Sequence, residues 1–205
     1  HISGLPFFVP AFLPGRTINF FGPGETKREM ESHISDQMKA PYFPVETETW
    51  LAQIRYMSPR HRPLMVGPMT IDPFNVHHPG STYGYRIEAA GKTIVYASDN
   101  ELSFINQSIE ARKGEFDARE RELLEEMKHE EYSRSIELMQ GVDLLIHDAQ
   151  YTPEDYLKKR GWGHSCYVDT VNAAIDAGVK EFFMFHLGPN YADPFVEELH
   201  TAANE

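Results

Sequence analysis

Apolar positions recur along this chain at two spacings, and the changes from one to the other mark out its elements. Thr17–Phe21 reads as a short strand closed by Gly22-Pro23-Gly24. Over 25–40 the residues Met30, Ile34 and Met38 stand four apart, the spacing of an amphipathic helix, and Pro41 and Pro44 end it. The aromatics of Pro41-Tyr42-Phe43-Pro44 read as a loop anchor in preference to a lip over a site. Trp50–Met57 fits a strand or a helix end, and Met65–Ile71 a strand. Tyr83–Glu88 and Thr93–Ala97 flank Ala90-Gly91-Lys92 and predict a hairpin.

Residues 117–140 are crowded with Glu and Arg around Leu124, Met127, Ile136 and Met139. That pattern predicts a helix with a solvated charged face, and a break near Glu131 stays open. Val142–Ile146 reads as a buried strand and Tyr151–Arg160 as helix or turn. Val168–Ala177 predicts a helix with Val168, Val171 and Ile175 on one face and Gly178 as its stop. Phe182–Phe185 is a wholly apolar strand, and Asp193–Ala203 a closing helix. Helices alternating with strands toward the C-terminus give an α/β class.

A length of 205 residues favours a single domain over 1–205. Apolar residues at 41% and charged residues at 24% exclude global disorder. Lys and Arg number 19 against 31 Asp and Glu, a formal charge of -12. That charge repels a phosphate backbone, so a broad nucleic-acid face is disfavoured. A small anionic substrate stays compatible, because a bound metal reverses the local field. Cys166 is the only cysteine, so no disulfide forms within the chain; this fits a reducing compartment, and the expected location is the cytoplasm. No apolar run reaches the roughly 18 residues of a membrane-spanning helix. The chain starts on His1 in an apolar stretch with Pro6, Pro10 and Pro14 and no basic leader. The expectation is a portion of a longer protein, or a chain that another copy or partner completes.

Four chemistry-bearing groups lie next to apolar strands: His78 in VHHPG, Asp99 in YASDNE, Asp148 in LIHDAQ and His186 in FFMFHLGP. Strand ends are where α/β proteins place reactive groups, since the strand fixes the position and the loop opens the site. Imidazole and carboxylate donors suit zinc or another transition metal. The plainer alternative is that Asp99-Asn100 and His77-His78 are turn residues. His129 sits on the charged helix as a solvated residue, and His33, His61 and His200 have no supporting context.

A further segment, GWGHSCYVD over 161–169, puts His164 and Ser165 at the start of a predicted helix after two glycines. Amides at such a start favour an anion, and a histidine beside it can protonate a leaving oxygen. Equally open is a structural reading in which Ser165 is an N-cap and His164 packs on Trp162.

Taken in order, HISGLPFFVPAF, HHPGSTYGYRIEAAGKTIVYASDNE, DLLIHDAQY, GWGHS and FFMFHLGP resemble the metallo-β-lactamase superfamily, in its ribonuclease Z-like and cyclic-phosphodiesterase-like branch. The resemblance implies an αββα sandwich lacking its first strands and the start of the His-x-His-x-Asp-His motif, with His1 as the last member of that motif. It implies two divalent metals, zinc first, with manganese and iron also accepting such donors. His78 would serve the first metal, Asp99 would bridge, and His1 and His186 would serve the second. His164 would contact the scissile phosphate or assist the leaving group, and Asp148 would orient it. Asp148 stands where the family carries the longer Glu. The implied activity is a phosphodiesterase using a metal-activated water on a small phosphodiester. The alternatives are a thioester or lactone hydrolase of the same fold, or a metal-poor binding or regulatory module. A homo-oligomer or a completing chain fits the missing motif.

Overall fold

The computed structural model describes residues 4–22, 26–57, 63–104 and 114–203. The chain divides into two compact units, His1–Arg62 and Pro63–Glu205.

In the first unit β1 (Thr17–Phe21) pairs in parallel with β2 (Gln53–Met57), Thr17 opposite Gln53 and Phe21 opposite Met57. The segment from Trp50 thus resolves into a strand. Helix α1 (Lys27–Ser35) opens on Thr26, whose hydroxyl accepts the Glu29 N–H at 3.2 Å. It ends sooner than the four-residue spacing predicts, because Met38 lies in a following 3-10 turn, Asp36–Met38; Met30, Ile34 and Met38 are buried all the same. Ile34 and Met38 cluster with Ala11 and Trp50, and Phe43 packs against them while Tyr42 is exposed. Phe43 therefore anchors its Pro-flanked loop.

The second unit is a six-stranded sheet: β3 (Leu64–Val66), β4 (Met69–Asn75), β5 (Tyr83–Ala89), β6 (Lys92–Ala97), β7 (Leu144–Asp148) and β8 (Phe182–Phe185), neighbours in that order. The apolar run predicted as one strand over Met65–Ile71 is instead the hairpin β3–β4, broken by Gly67 at φ +58°. At the β5–β6 turn both Ala90 and Gly91 take positive φ, which matches the twist of the flanking strands. From β6 onward the pairing is parallel, and helices supply the crossovers.

Helix α2 (Ala118–Met139) runs unbroken through Glu131. It starts in a capping box: the Asp117 carboxylate accepts the Glu120 N–H, and the Glu120 carboxylate accepts the Asp117 N–H, each at 2.8 Å. Between β7 and β8 come α3 (Pro153–Lys159) and α4 (Tyr167–Asp176), and α5 (Asp193–Ala203) closes the chain. The core joins Val95 and Leu145 of the sheet to Met139 of α2 and Ala173 and Ala174 of α4.

Helix α4 does not bury its bulkiest face. Ile175 is 69% exposed, whereas Thr170, Ala173, Ala174 and Ala177 are buried. Small side chains let the helix backbone approach the sheet closely. Among the described residues no helix is long and apolar enough to cross a membrane.

Candidate metal centre

Parallel strands leave their C-terminal ends side by side. Here Ala97 pairs with His147 and Asp148 with Phe185, so the chain exits from β6, β7 and β8 at one edge. Asp99 lies two residues beyond β6, Asp148 ends β7, and His186 follows β8 directly. His78 joins them from the β4–β5 connection and His164 from the α3–α4 loop. Of the six residues singled out in the sequence, five converge; His1 lies outside the described residues.

Donor atoms of His78, Asp99 and His164 lie within 4.8 Å of one another. The Asp99 carboxylate is buried, and its Oδ2 accepts the Ser98 hydroxyl at 2.7 Å. Its Oδ1 has His186 Nδ1 at 3.6 Å and His164 Nδ1 at 4.0 Å. The His164 and His186 rings stack at 4.7 Å, and the His78 ring meets His164 edge-on at 5.3 Å. One buried carboxylate among three imidazoles is the donor chemistry that zinc takes, so the residues present fit a divalent cation.

Two backbone features hold the imidazoles there. His186 adopts φ +57°, left-handed backbone that a side-chain-bearing residue rarely takes. Such strain persists where the surroundings enforce it, and it clusters at functional sites. His186→Gly should therefore be more stable than His186→Ala by about 1 kcal/mol, as glycine alone enters that region without cost. Paired thermal or urea unfolding of the two metal-free variants measures this. Gly163, at φ +90°, lies against the second loop: a Cβ there would stand 2.5 Å from Pro79 Cδ and 2.6 Å from His78 Cδ2. The loop that carries His164 can pass beneath His78 only without a side chain at that point.

Asp148 and His164 are joined by a 2.6 Å bond from Nδ1 to Oδ2. Asp148 is the last residue of β7, where it meets the His164 loop. Its carboxylate also accepts the backbone N–H groups of Asn100 (3.3 Å), Gln150 (3.0 Å) and Ser165 (3.2 Å). Burial is the largest influence on the His164 ring and lowers its pKa. The hydrogen bond and charge of Asp148, with the charges of Asp99 and Glu101, outweigh it, and the pKa stands raised above its ordinary value.

Ser165 is not the helix cap. Cys166 occupies that position, and the Ser165 hydroxyl donates to the Asn100 carbonyl at 2.6 Å while accepting the Leu102 N–H at 3.0 Å. The Ser165 amide, on which the idea of an anion at this helix start partly rested, already serves Asp148. Nor does His164 use Trp162 as its ring partner; its ring neighbours are His78, Tyr151 and His186.

Sequence reasoning passed over the support that His147 and Asn100 give the site. His147 is buried; its Nδ1 lies 2.8 Å from the Asp148 carbonyl and its Nε2 2.9 Å from Asn100 Nδ2. A carbonyl only accepts, so Nδ1 carries the proton and Nε2 accepts from the Asn100 amide group. Burial lowers the His147 pKa, against the opposing pull of Asp148. Asn100 Oδ1 in turn accepts the His77 N–H at 2.9 Å, which ties the His77-His78 turn to the strand ends. The adjacency of His147 to Asp148 in LIHDAQ was the available signal.

No family model matches the chain. It is 40% identical over 60 residues to the ribonuclease Z of Ignicoccus hospitalis, covering 29% of this chain and 20% of that protein. It is 40% identical over 58 residues to that of Brevibacillus brevis, covering 28% and 18%. The matched stretch thus spans about a fifth of these relatives' length. Among solved structures, the metallo-β-lactamase fold protein YhfI from Bacillus subtilis superposes with a TM-score of 0.61 at 17% identity, covering 99% of this chain and 67% of that one. A diphosphatase of the PhnP family gives 0.57 at 16%, covering 95% and 59%. Human tRNase Z, short form, gives 0.56 at 16%, covering 93% and 69%.

Proposed function

This chain carries the metallo-β-lactamase fold, and from that premise we propose that it serves a metal-dependent phosphodiesterase of the cytoplasm acting on small anionic diesters. The single observation that carries this reading is the 2.6 Å bond between His164 and Asp148 beside the carboxylate and imidazoles of Asp99, His78 and His186.

His78 and Asp99 would hold one divalent cation, and Asp99 with His186 a second, to which the sequence resemblance adds His1; zinc suits these donors, as do manganese and iron. When bound, such ions supply a water that ionises near neutral pH and positive charge for the phosphoryl oxygens. Asp148 fixes the proton on His164 Nδ1, which leaves Nε2 to face the substrate. The upward pKa shift enlarges the fraction of His164 that is protonated near neutral pH. A proton on Nε2 is what a departing alkoxide needs, and its transfer there completes P–O cleavage. Asn100 and His147, locked to each other, keep Asp148 and the His78 turn in register while the proton moves.

The test is a substrate panel on the zinc- or manganese-loaded protein. We expect turnover of bis-p-nitrophenyl phosphate, abolished by a chelator and restored by the metal, with thioesters and lactones much slower. Faster thioester or lactone turnover overturns the reading, and so does a metal content below one ion per chain after reloading.

A further inference from the structure

We propose that Glu101 is the positioning residue that holds the His164 loop, through a buried carboxylate bonded to both glycines of Gly161-Trp162-Gly163. The inference deepens the phosphodiesterase reading, on which its catalytic consequence rests.

Glu101 is wholly buried, two residues along from Asp99. Its Oε1 accepts the Tyr156 hydroxyl and the Gly161 N–H, each at 3.0 Å, and its Oε2 accepts the Gly163 N–H at 2.9 Å. Burying a carboxylate is costly unless its oxygens are satisfied, so three converging donors imply a fixed geometry. The loop they define needs one. Gly161 and Gly163 both have positive φ, and the space beside Gly163 is filled by His78 and Pro79. The backbone of Glu101 meanwhile donates its N–H to the His77 carbonyl at 2.9 Å. One residue therefore fastens the His78 turn by its main chain and the His164 loop by its side chain. The same short segment contributes Asp99 to the centre. The spacing between the imidazoles of His78 and His164 is set from this point.

A carboxylate is required, and an amide of the same shape does not serve. In Glu101→Gln, if the remaining oxygen accepted from Tyr156 and Gly161, the new NH2 group would face the Gly163 N–H, donor against donor. The substitution should thus release Gly163, the residue directly before His164. We expect turnover to fall about 10- to 100-fold, with kcat carrying the loss in preference to KM and metal content unchanged.

The deciding readout needs neither substrate nor metal. Imidazole 15N NMR of the chelated protein separates the His164 ring from the His147 ring, which Asn100 and the Asp148 carbonyl hold independently. Glu101→Gln should shift or broaden the His164 signals and leave those of His147 in place. Unchanged His164 signals overturn the proposal, as does equal disturbance of both rings, which would mean general loosening. Should the variant not fold, hydrogen exchange of the wild-type chain decides. The Gly161 and Gly163 amides should be protected like those of β7, and exchange at open-loop rates overturns the proposal. If the His164 signals move as expected but the wild type cleaves no phosphodiester, the positioning role stands and the phosphodiesterase reading fails.

Discussion

His164→Ala is expected to lower phosphodiester turnover by about 10²- to 10⁴-fold, the range of a lost general acid, while each chain keeps its metal. Two roles for this ring predict different results. Its donor atoms lie close enough to those of His78 and Asp99 to join a common cation. Yet Nδ1 is engaged with Asp148 at 2.6 Å, against 4.0 Å to Asp99. A carboxylate-backed imidazole can serve as a metal ligand or as an acid. Metal analysis alongside kinetics separates the roles: equal loss of metal and of turnover makes His164 a ligand and removes the leaving-group step. A substrate whose leaving group needs no proton adds a second check. The deficit should shrink for p-nitrophenolate, a stable anion, and widen for an alkyl alcohol. An equal deficit for both would sink the acid role.

How far the sequence discloses this site follows from where its members sit. Asp99, Asp148 and His186 were visible because parallel strands end together, so polar residues just beyond apolar runs share an edge. The β5–β6 hairpin was visible through Ala90-Gly91, whose turn requires positive φ. Other features were hidden by the same logic. The apolar run over 64–71 conceals a turn at Gly67, because hydrophobicity continues through it on both sides. On helix α4 the bulky residues Val168, Val171 and Ile175 mark one face, yet its buried contacts with the sheet are made by Ala173, Ala174 and Thr170. Size misled, because close approach rewards small residues. Thr170 is itself informative: its hydroxyl donates to the Asp148 carbonyl at 2.9 Å, so a polar residue on the buried face anchors the strand end. The supporting roles of Asn100, Glu101, His147 and Ser165 depend on contacts between residues some fifty or sixty positions apart, and no local period encodes these.

Asp148→Asn carries the largest expected loss of stability, and its pH dependence identifies the cause. Four donors converge on this fully buried carboxylate: the amides of Asn100, Gln150 and Ser165, and His164 Nδ1. An asparagine replaces one acceptor oxygen with an NH2 group, which leaves at least one buried donor unmatched, at a cost of about 1–3 kcal/mol. The variant also removes the charge that raises His164. In the wild type, without metal, the folded pKa of His164 lies above its unfolded value near 6.5, so the folded state holds more protons between the two. The stabilisation from this pair is therefore complete below about pH 6.5 and declines as pH rises through the folded value. In the variant both contributions of Asp148 are gone, burial is opposed only by the charges of Asp99 and Glu101, and the folded pKa of His164 drops from its wild-type position. Protonation then stabilises the variant less than it does the wild type. His147 moves in the same sense, since the variant also removes the Asp148 charge that opposes burial there, so the NMR titration of each ring assigns the two contributions. The stability gap between wild type and variant should thus widen from pH 8 to pH 5.5 in urea unfolding of chelated protein, while imidazole NMR follows the fall in the His164 pKa. A gap that stays constant or narrows toward acid would mean that Asp148 holds the loop through its backbone partners alone. His164 would then lose its claim to a proton at neutral pH.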